Sequence, residues 1–278
     1  MDGAMLSSGW LLAAMGIYTL VLFVSLLGKS WENKTAAGAA FWLLAAGGVF
    51  NAVMLGTMWT GMGRPPFKTL YETLLLAPLC IAAVGVVMAR LHKLPLLTAL
   101  AAAGALICMF CAYQNPDWEV VLMPPALQSA WFVPHVVTYF ISYGALFISA
   151  VLAGLAIFKA AREKTLNPSG AGAGDVLRYE SAANNAAIFG FVTLTFGLAM
   201  GAAWGKNAWG DYWQWDVKEN WAFITWLAYL AYHHTRLLGA WRKQRAMWLN
   251  LACFGAVLFT YLGMNLLPAA KASMHVYQ

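Results

Sequence analysis

Apolar residues run along the chain in long unbroken stretches, not in the alternation of a half-buried strand or the narrow stripe of a surface helix. A stretch of 18 or more is the length of a helix that crosses a hydrocarbon core of about 30 Å at about 1.5 Å per residue. By that rule the pattern predicts about eight crossings, near 9–27, 40–60, 69–89, 95–113, 131–158, 182–203, 221–239 and 247–264. Pro78 and Pro95 leave the third and fourth least sharply bounded, because proline removes a backbone donor and interrupts or delimits a helix. The expected fold is all-α, a polytopic membrane helix bundle forming a single domain over 1–278. Met1-Asp2-Gly3 gives the first helix no positive leader, and no small-residue cleavage site follows, so it is expected to be a retained span.

Composition agrees with the pattern. The chain is 62% hydrophobic and 10% charged, against roughly 45–50% and about 25% in a soluble domain, which excludes a water-soluble fold. Its net charge of +6 comes from 17 basic and 11 acidic residues. Basic residues prefer cytoplasmic loops. With the N-terminus outside, twelve of the 17 fall inside: Lys29, Lys34, Arg90, Lys93, Lys159, Arg162, Lys164, Arg178, Arg236, Arg242, Lys243 and Arg245. Arg64, Lys68, Lys206, Lys218 and Lys271 fall outside. Both termini are therefore expected outside, and the positive balance reads as loops facing a membrane surface, with no nucleic-acid patch. The longest inside connection, 159–181, carries the polar linker Asn167-Pro168-Ser169-Gly170-Ala171-Gly172. Cys80, Cys108, Cys111 and Cys253 all lie in apolar runs, and the C-x-x-C of Cys108 and Cys111 has no second pair, so they read as packing residues.

Candidate chemistry gathers in the outside loop between the sixth and seventh helices. Trp204, Trp209, Trp213, Trp215 and Trp221 fall within 18 residues, interleaved with Asp211, Asp216 and Glu219. Tryptophans also line membrane interfaces, but a belt does not need this density in one loop. A flat aromatic platform for a large planar ligand does, with glycines allowing close backbone approach. A porphyrin fits such a platform, and its iron takes histidine as an axial ligand. Of the five histidines, His135 begins the fifth helix and His275 lies in the C-terminal tail, both on the same outer side as the loop. His233 and His234 follow Trp221 by 12 and 13 residues, roughly 18–20 Å deeper toward the inner leaflet. Ionisable groups at that depth are functional candidates. Adjacent residues point about 100° apart on a helix, so the two do not serve one iron. His92, beside Arg90 and Lys93, reads as a solvated loop residue.

The loop, with Trp209-Gly-Asp-Tyr-Trp213-Gln-Trp215-Asp216 at its centre, resembles the WWD signature of heme-handling membrane proteins, in the CcsA (ResC) branch of System II cytochrome c maturation. Gly63-Arg64-Pro65-Pro66, Thr69-Leu70-Tyr71-Glu72-Thr73-Leu74, His234-Thr235-Arg236 and Gly263-Met264-Asn265-Leu266-Leu267 resemble further parts of that family. Val217 and Asn220 depart from it, standing where Pro and Thr are expected, and Lys206 stands where an acidic or neutral residue is common. The resemblance implies a heme path with two sites. His234, by its place before Thr-Arg, would ligate heme b at a membrane site, its second ligand coming from a ResB (CcsB) type subunit. His135 and His275 would ligate it at an outer site framed by Trp204, Trp209, Trp213, Trp215, Asp216 and Trp221. Lys206, Lys218 or Arg64 would face the propionates. The acceptor would be the CXXCH segment of apocytochrome c, and the complex would act as a cytochrome c heme lyase in a bacterial inner membrane or a plastid thylakoid. Three other readings compete: another branch of the superfamily such as CcmC or CcmF, a quinol-oxidising or electron-transfer subunit that keeps its hemes, and a transporter whose tryptophans only anchor helices.

Overall fold

The computed structural model describes residues 3–27, 33–116, 123–166, 173–238 and 244–263. Among them are eight α-helices and a single 3-10 turn at Pro125–Gln128. The helices are α1 (Gly3–Leu27), α2 (Lys34–Met62), α3 (Leu70–His92), α4 (Leu96–Gln114), α5 (Phe132–Leu166), α6 (Ala173–Trp209), α7 (Val217–Leu237) and α8 (Gln244–Tyr261). The first six are long and apolar enough to cross a membrane. The last two, with 21 and 18 residues, are long enough, but Trp, Tyr, His, Asn and Gln replace many of the aliphatic side chains. The protein is a multi-pass α-helical membrane protein.

Helix α3 follows the expected span of 69–89 through Pro78, and the connection after α5 departs from expectation. Pro78 does not interrupt α3, which runs through it. Pro78 has no N–H for the Leu74 carbonyl, and at the next carbonyl the Asn51 side chain of α2 donates to Leu75 at 2.9 Å. A buried polar contact from a neighbour makes the irregular turn tolerable in an apolar setting. The expected connection 159–181 is much shorter. Helix α5 extends to Leu166 and α6 starts at Ala173, because Ala-Ala-Arg-Glu-Lys at 160–164 is strongly helix-forming. Lys159 and Asp175 pair at 2.6 Å across that connection. The polar linker itself, 167–172, lies outside the described residues.

The chain divides into two compact units, Met1–Gly144 and Ala145–Gln278. In the first, α3 packs on α2 and α4, and α1 packs on α2 and α4. Gly144, within α5, lets the backbone of Cys80 and Ile81 approach so closely that a Cβ would lie 3.1 Å from the Cys80 carbonyl. Small residues let membrane helices approach in this way where lipid offers little hydrophobic drive. In the second unit α7 packs on α6 and α8. Asn250 donates to Ser149 at 2.7 Å, and Ser149 donates to the Ala183 carbonyl at 2.7 Å, joining α8, α5 and α6 through three buried residues. Trp226 donates to Thr195 at 2.9 Å, and the Thr225 and Thr260 hydroxyls meet at 2.8 Å. Each such bond contributes about 0.6–2 kcal/mol. The Trp226 and Thr225 bonds tie α7 to α6 and α8 and fix its rotation.

Candidate functional site

The tryptophan loop is built from two helix ends. Helix α6 stops at Trp209, and Gly210 follows with φ +90°, a left-handed turn that glycine adopts without steric cost. Lys206, in the last turn of α6, donates to the Gly210 carbonyl at 2.6 Å and sits 5.5 Å from the centre of the Tyr212 ring. Helix α7 begins at Val217 with Asp216 as its N-cap. Between them the indoles do not form one flat surface. Trp204 and Trp209 meet edge to face at 4.8 Å, Trp213 and Trp215 edge to face at 5.9 Å, and Trp221 tilts on Phe259 at 4.2 Å. Trp204 is 4% exposed and Trp215 68% exposed. The loop is thus a frame of interlocked rings with Trp215 and the exposed Tyr212 turned outward.

Trp215 carries the least ordinary backbone of the loop, with φ +58°. Left-handed geometry is a true outlier for a bulky residue and costs of order 1–3 kcal/mol. It survives because its neighbours are held. The Glu219 carboxylate accepts the N–H groups of Gln214 at 2.9 Å and Asp216 at 3.1 Å, and the Asn220 amide donates to the Trp215 carbonyl at 2.9 Å. The sequence offered the carboxylates as a pattern. Glu219 stands three residues after Asp216, the capping-box spacing that starts α7, whereas the bond from Asn220, at a position where threonine was expected, had no signal in the sequence.

The two adjacent histidines of α7 are separated by their surroundings. His233 is half-buried, with its ring 5.1 Å from Phe191 and 5.1 Å from Tyr232, and its Nε2 is buried without a partner. His234 is exposed, and its Nδ1 lies 2.8 Å from the Leu230 carbonyl. A carbonyl only accepts, so the proton sits on Nδ1, which leaves the Nε2 lone pair facing outward. His234 lies in the last turn of α7, nearer the helix end than an intramembrane placement implied.

His135 lies in the first turn of α5, which starts at Phe132, three residues before it. Its backbone N–H bonds to Trp131 at 3.0 Å and its half-buried ring packs edge to face on Tyr139 at 4.8 Å. It belongs to the first unit, and the tryptophan loop to the second. His275 lies outside the described residues. His92 is the last residue of α3 and half-buried. Of the basic candidates for a propionate, Lys218 is exposed in the first turn of α7. Arg64 has another role: it is 7% exposed and forms a two-point ion pair with Glu72, at 2.6 and 3.1 Å. Glu72 also accepts the Lys68 and Thr69 N–H groups at 2.6 and 3.2 Å, completing a capping box at the start of α3.

A multi-pass helical protein with a tryptophan-framed loop between two spans is a well-defined class, and comparison places the chain within it. Residues 67–270 match the family described as cytochrome c assembly protein. The chain belongs to that family, in its CcsA branch. It is 31% identical to the cytochrome c biogenesis protein CcsA of Synechococcus sp. (strain RCC307), over 92% of this chain and 91% of that one. It is 32% identical to CcsA of Prochlorococcus marinus subsp. pastoris (strain CCMP1986), over 79% and 77%. Among solved structures, the cytochrome c heme lyase CcmF shares the fold with a TM-score of 0.65 at 17% identity, covering 94% of this chain and 47% of that chain.

Proposed function

We propose that this chain binds heme b as cargo and presents it on the α6–α7 loop for attachment to the CXXCH segment of apocytochrome c. It would work with a ResB (CcsB) type subunit as a cytochrome c heme lyase. The observation that carries the reading is the strained, outward-facing Trp215 in a frame of tryptophans, in a chain whose relatives are named for cytochrome c biogenesis. The two compact units would act together as one heme-handling domain.

In the attachment step each cysteine thiol adds across a vinyl group. A carbon–sulfur bond forms, the thiol hydrogen ends on the neighbouring carbon, and no net oxidation occurs. Such a step gains most from proximity and orientation, worth up to about 7–11 kcal/mol when reacting groups are well placed. Stacking on Trp215 would set the porphyrin plane, while His135 and His275 would hold the iron six-coordinate and shielded from dioxygen. Lys206 and Lys218 would lie within reach of the propionates. The acceptor histidine would then replace one of the two ligands. His234, exposed and with its Nδ1 engaged by the Leu230 carbonyl, suits an iron whose second ligand comes from another chain. His233, half-buried between Phe191 of α6 and Tyr232 of its own helix, does not.

Sidedness is tested with alkaline phosphatase fusions. Those ending after Trp215 are expected to be active and those ending after Lys243 inactive; the reverse pattern would place the loop inside and end the reading. For the second heme site, His234→Ala is expected to lower heme recovered with the complex about tenfold or more, and His233→Ala to change it little. The opposite ranking would show that the buried imidazole is the ligand.

A further inference from the structure

We infer that Glu219 and Asn220 are positioning residues that clamp Trp215 in its left-handed conformation, and so set the direction from which its indole meets a planar ligand. The inference rests on the reading of the loop as a heme-presenting surface. Burial cannot hold Trp215, since 68% of it is exposed and it meets Trp213 only edge to face at 5.9 Å. The holding is done by the backbone. Three consecutive residues, Gln214, Trp215 and Asp216, are each tied to the first turn of α7: the two outer N–H groups to Glu219, and the central carbonyl to Asn220. A side chain at φ +58° projects differently from one in an extended strand, so releasing the clamp would let the indole swing away while the loop stayed closed.

The two anchoring side chains do different work. Glu219 supplies one carboxylate oxygen to both N–H groups and fixes the ends of the turn, whereas Asn220 supplies the single donor that orients the middle. Neither touches the ring, and both act through Trp215. In that geometry a ligand that needs a fixed ring plane gains from the clamp, and the Glu219–Asp216 bond is at the same time the capping-box bond that starts α7, whereas the Asn220 bond serves Trp215 alone.

The test uses the full chain with its ResB-type partner in membranes lacking the native copy, reading heme per chain, the spectrum of the reduced complex and the amount of matured cytochrome c. Asn220→Ala is expected to lower heme per chain about fivefold, the worth of one neutral hydrogen bond, with chain abundance unchanged. Asn220→Asp keeps the shape and removes the donor, and is expected to report the same loss if the alanine variant is depleted. Glu219→Ala is expected to lower heme further. Trp215→Gly accepts φ +58° without strain, so it should lose heme while keeping or raising abundance. Because Asn220 acts through Trp215, adding Asn220→Ala to Trp215→Ala should cost nothing more. If Trp215→Ala keeps its heme, the reading of the loop fails. If Trp215→Ala loses heme while the Glu219 and Asn220 variants keep it, or if the losses multiply in the double variant, the clamp is overturned and the loop reading stands.

Discussion

Replacing His135 by glycine is expected to stop cytochrome c maturation, and imidazole at about millimolar concentration is expected to restore part of it, since imidazole is the group that the proposed ligand would present to the iron. His275→Gly should behave in the same way. The size of the effect separates coordination from folding. Glycine at a helix position costs about 1 kcal/mol relative to alanine, and His135 occupies the first turn of α5, with its ring on Tyr139. That cost cannot by itself stop maturation while the chain remains in the membrane. An imidazole-sized space beside an iron can be refilled from solution, whereas a misfolded helix cannot be repaired that way. Trp215→Ala supplies the contrast: it should lose heme without rescue, because it removes a stacking surface and no ligand. Normal maturation in either glycine variant without imidazole would sink the paired-ligand account.

The second large effect is structural. Arg64→Ala is expected to deplete the chain from membranes, because it leaves the Glu72 carboxylate buried without its cation, a loss of about 3–5 kcal/mol. Glu72 is 3% exposed and also accepts two backbone N–H groups at the start of α3, so it cannot simply turn to water. Replacing the pair together, with Arg64→Met and Glu72→Leu, should recover part of the abundance, since removing both charges also removes the desolvation cost. Chain level in membranes and thermal aggregation of the solubilised protein are the measurements. Wild-type abundance in Arg64→Ala would return this arginine to the list of propionate candidates.

These results show which features the sequence carried openly. The number and order of helices followed from apolar run length, because a bilayer imposes one length on every span. Their ends did not: α5 and α6 extend well past the bilayer because their flanking residues favour helix on their own account. The tryptophan loop was legible as a density of indoles, and its interlocked edge-to-face packing was not, since ring angles depend on which residues the helix ends bring together. Trp215 illustrates the limit most clearly. Nothing in its local sequence requires a left-handed backbone, which is imposed by bonds from residues four and five positions later. The choice of His234 over His233 came from its place before Thr-Arg, whereas the different surroundings of the two rings depend on the rotation of α7, set by partners on α6 and α8. Arg64 looked like an available cation only until its distance to Glu72 was known.

The central claim is that the chain carries heme in order to give it away, and one measurement addresses it directly. The chain is purified together with a co-expressed ResB-type subunit and reduced, and its visible spectrum is recorded before and after addition of an apocytochrome bearing a CXXCH segment. The account predicts the spectrum of a six-coordinate low-spin heme with two imidazole ligands, followed by transfer of the chromophore into a covalent product that resists acid-acetone extraction. A complex purified without heme, or one whose heme stays bound and extractable in the presence of the acceptor, would contradict it.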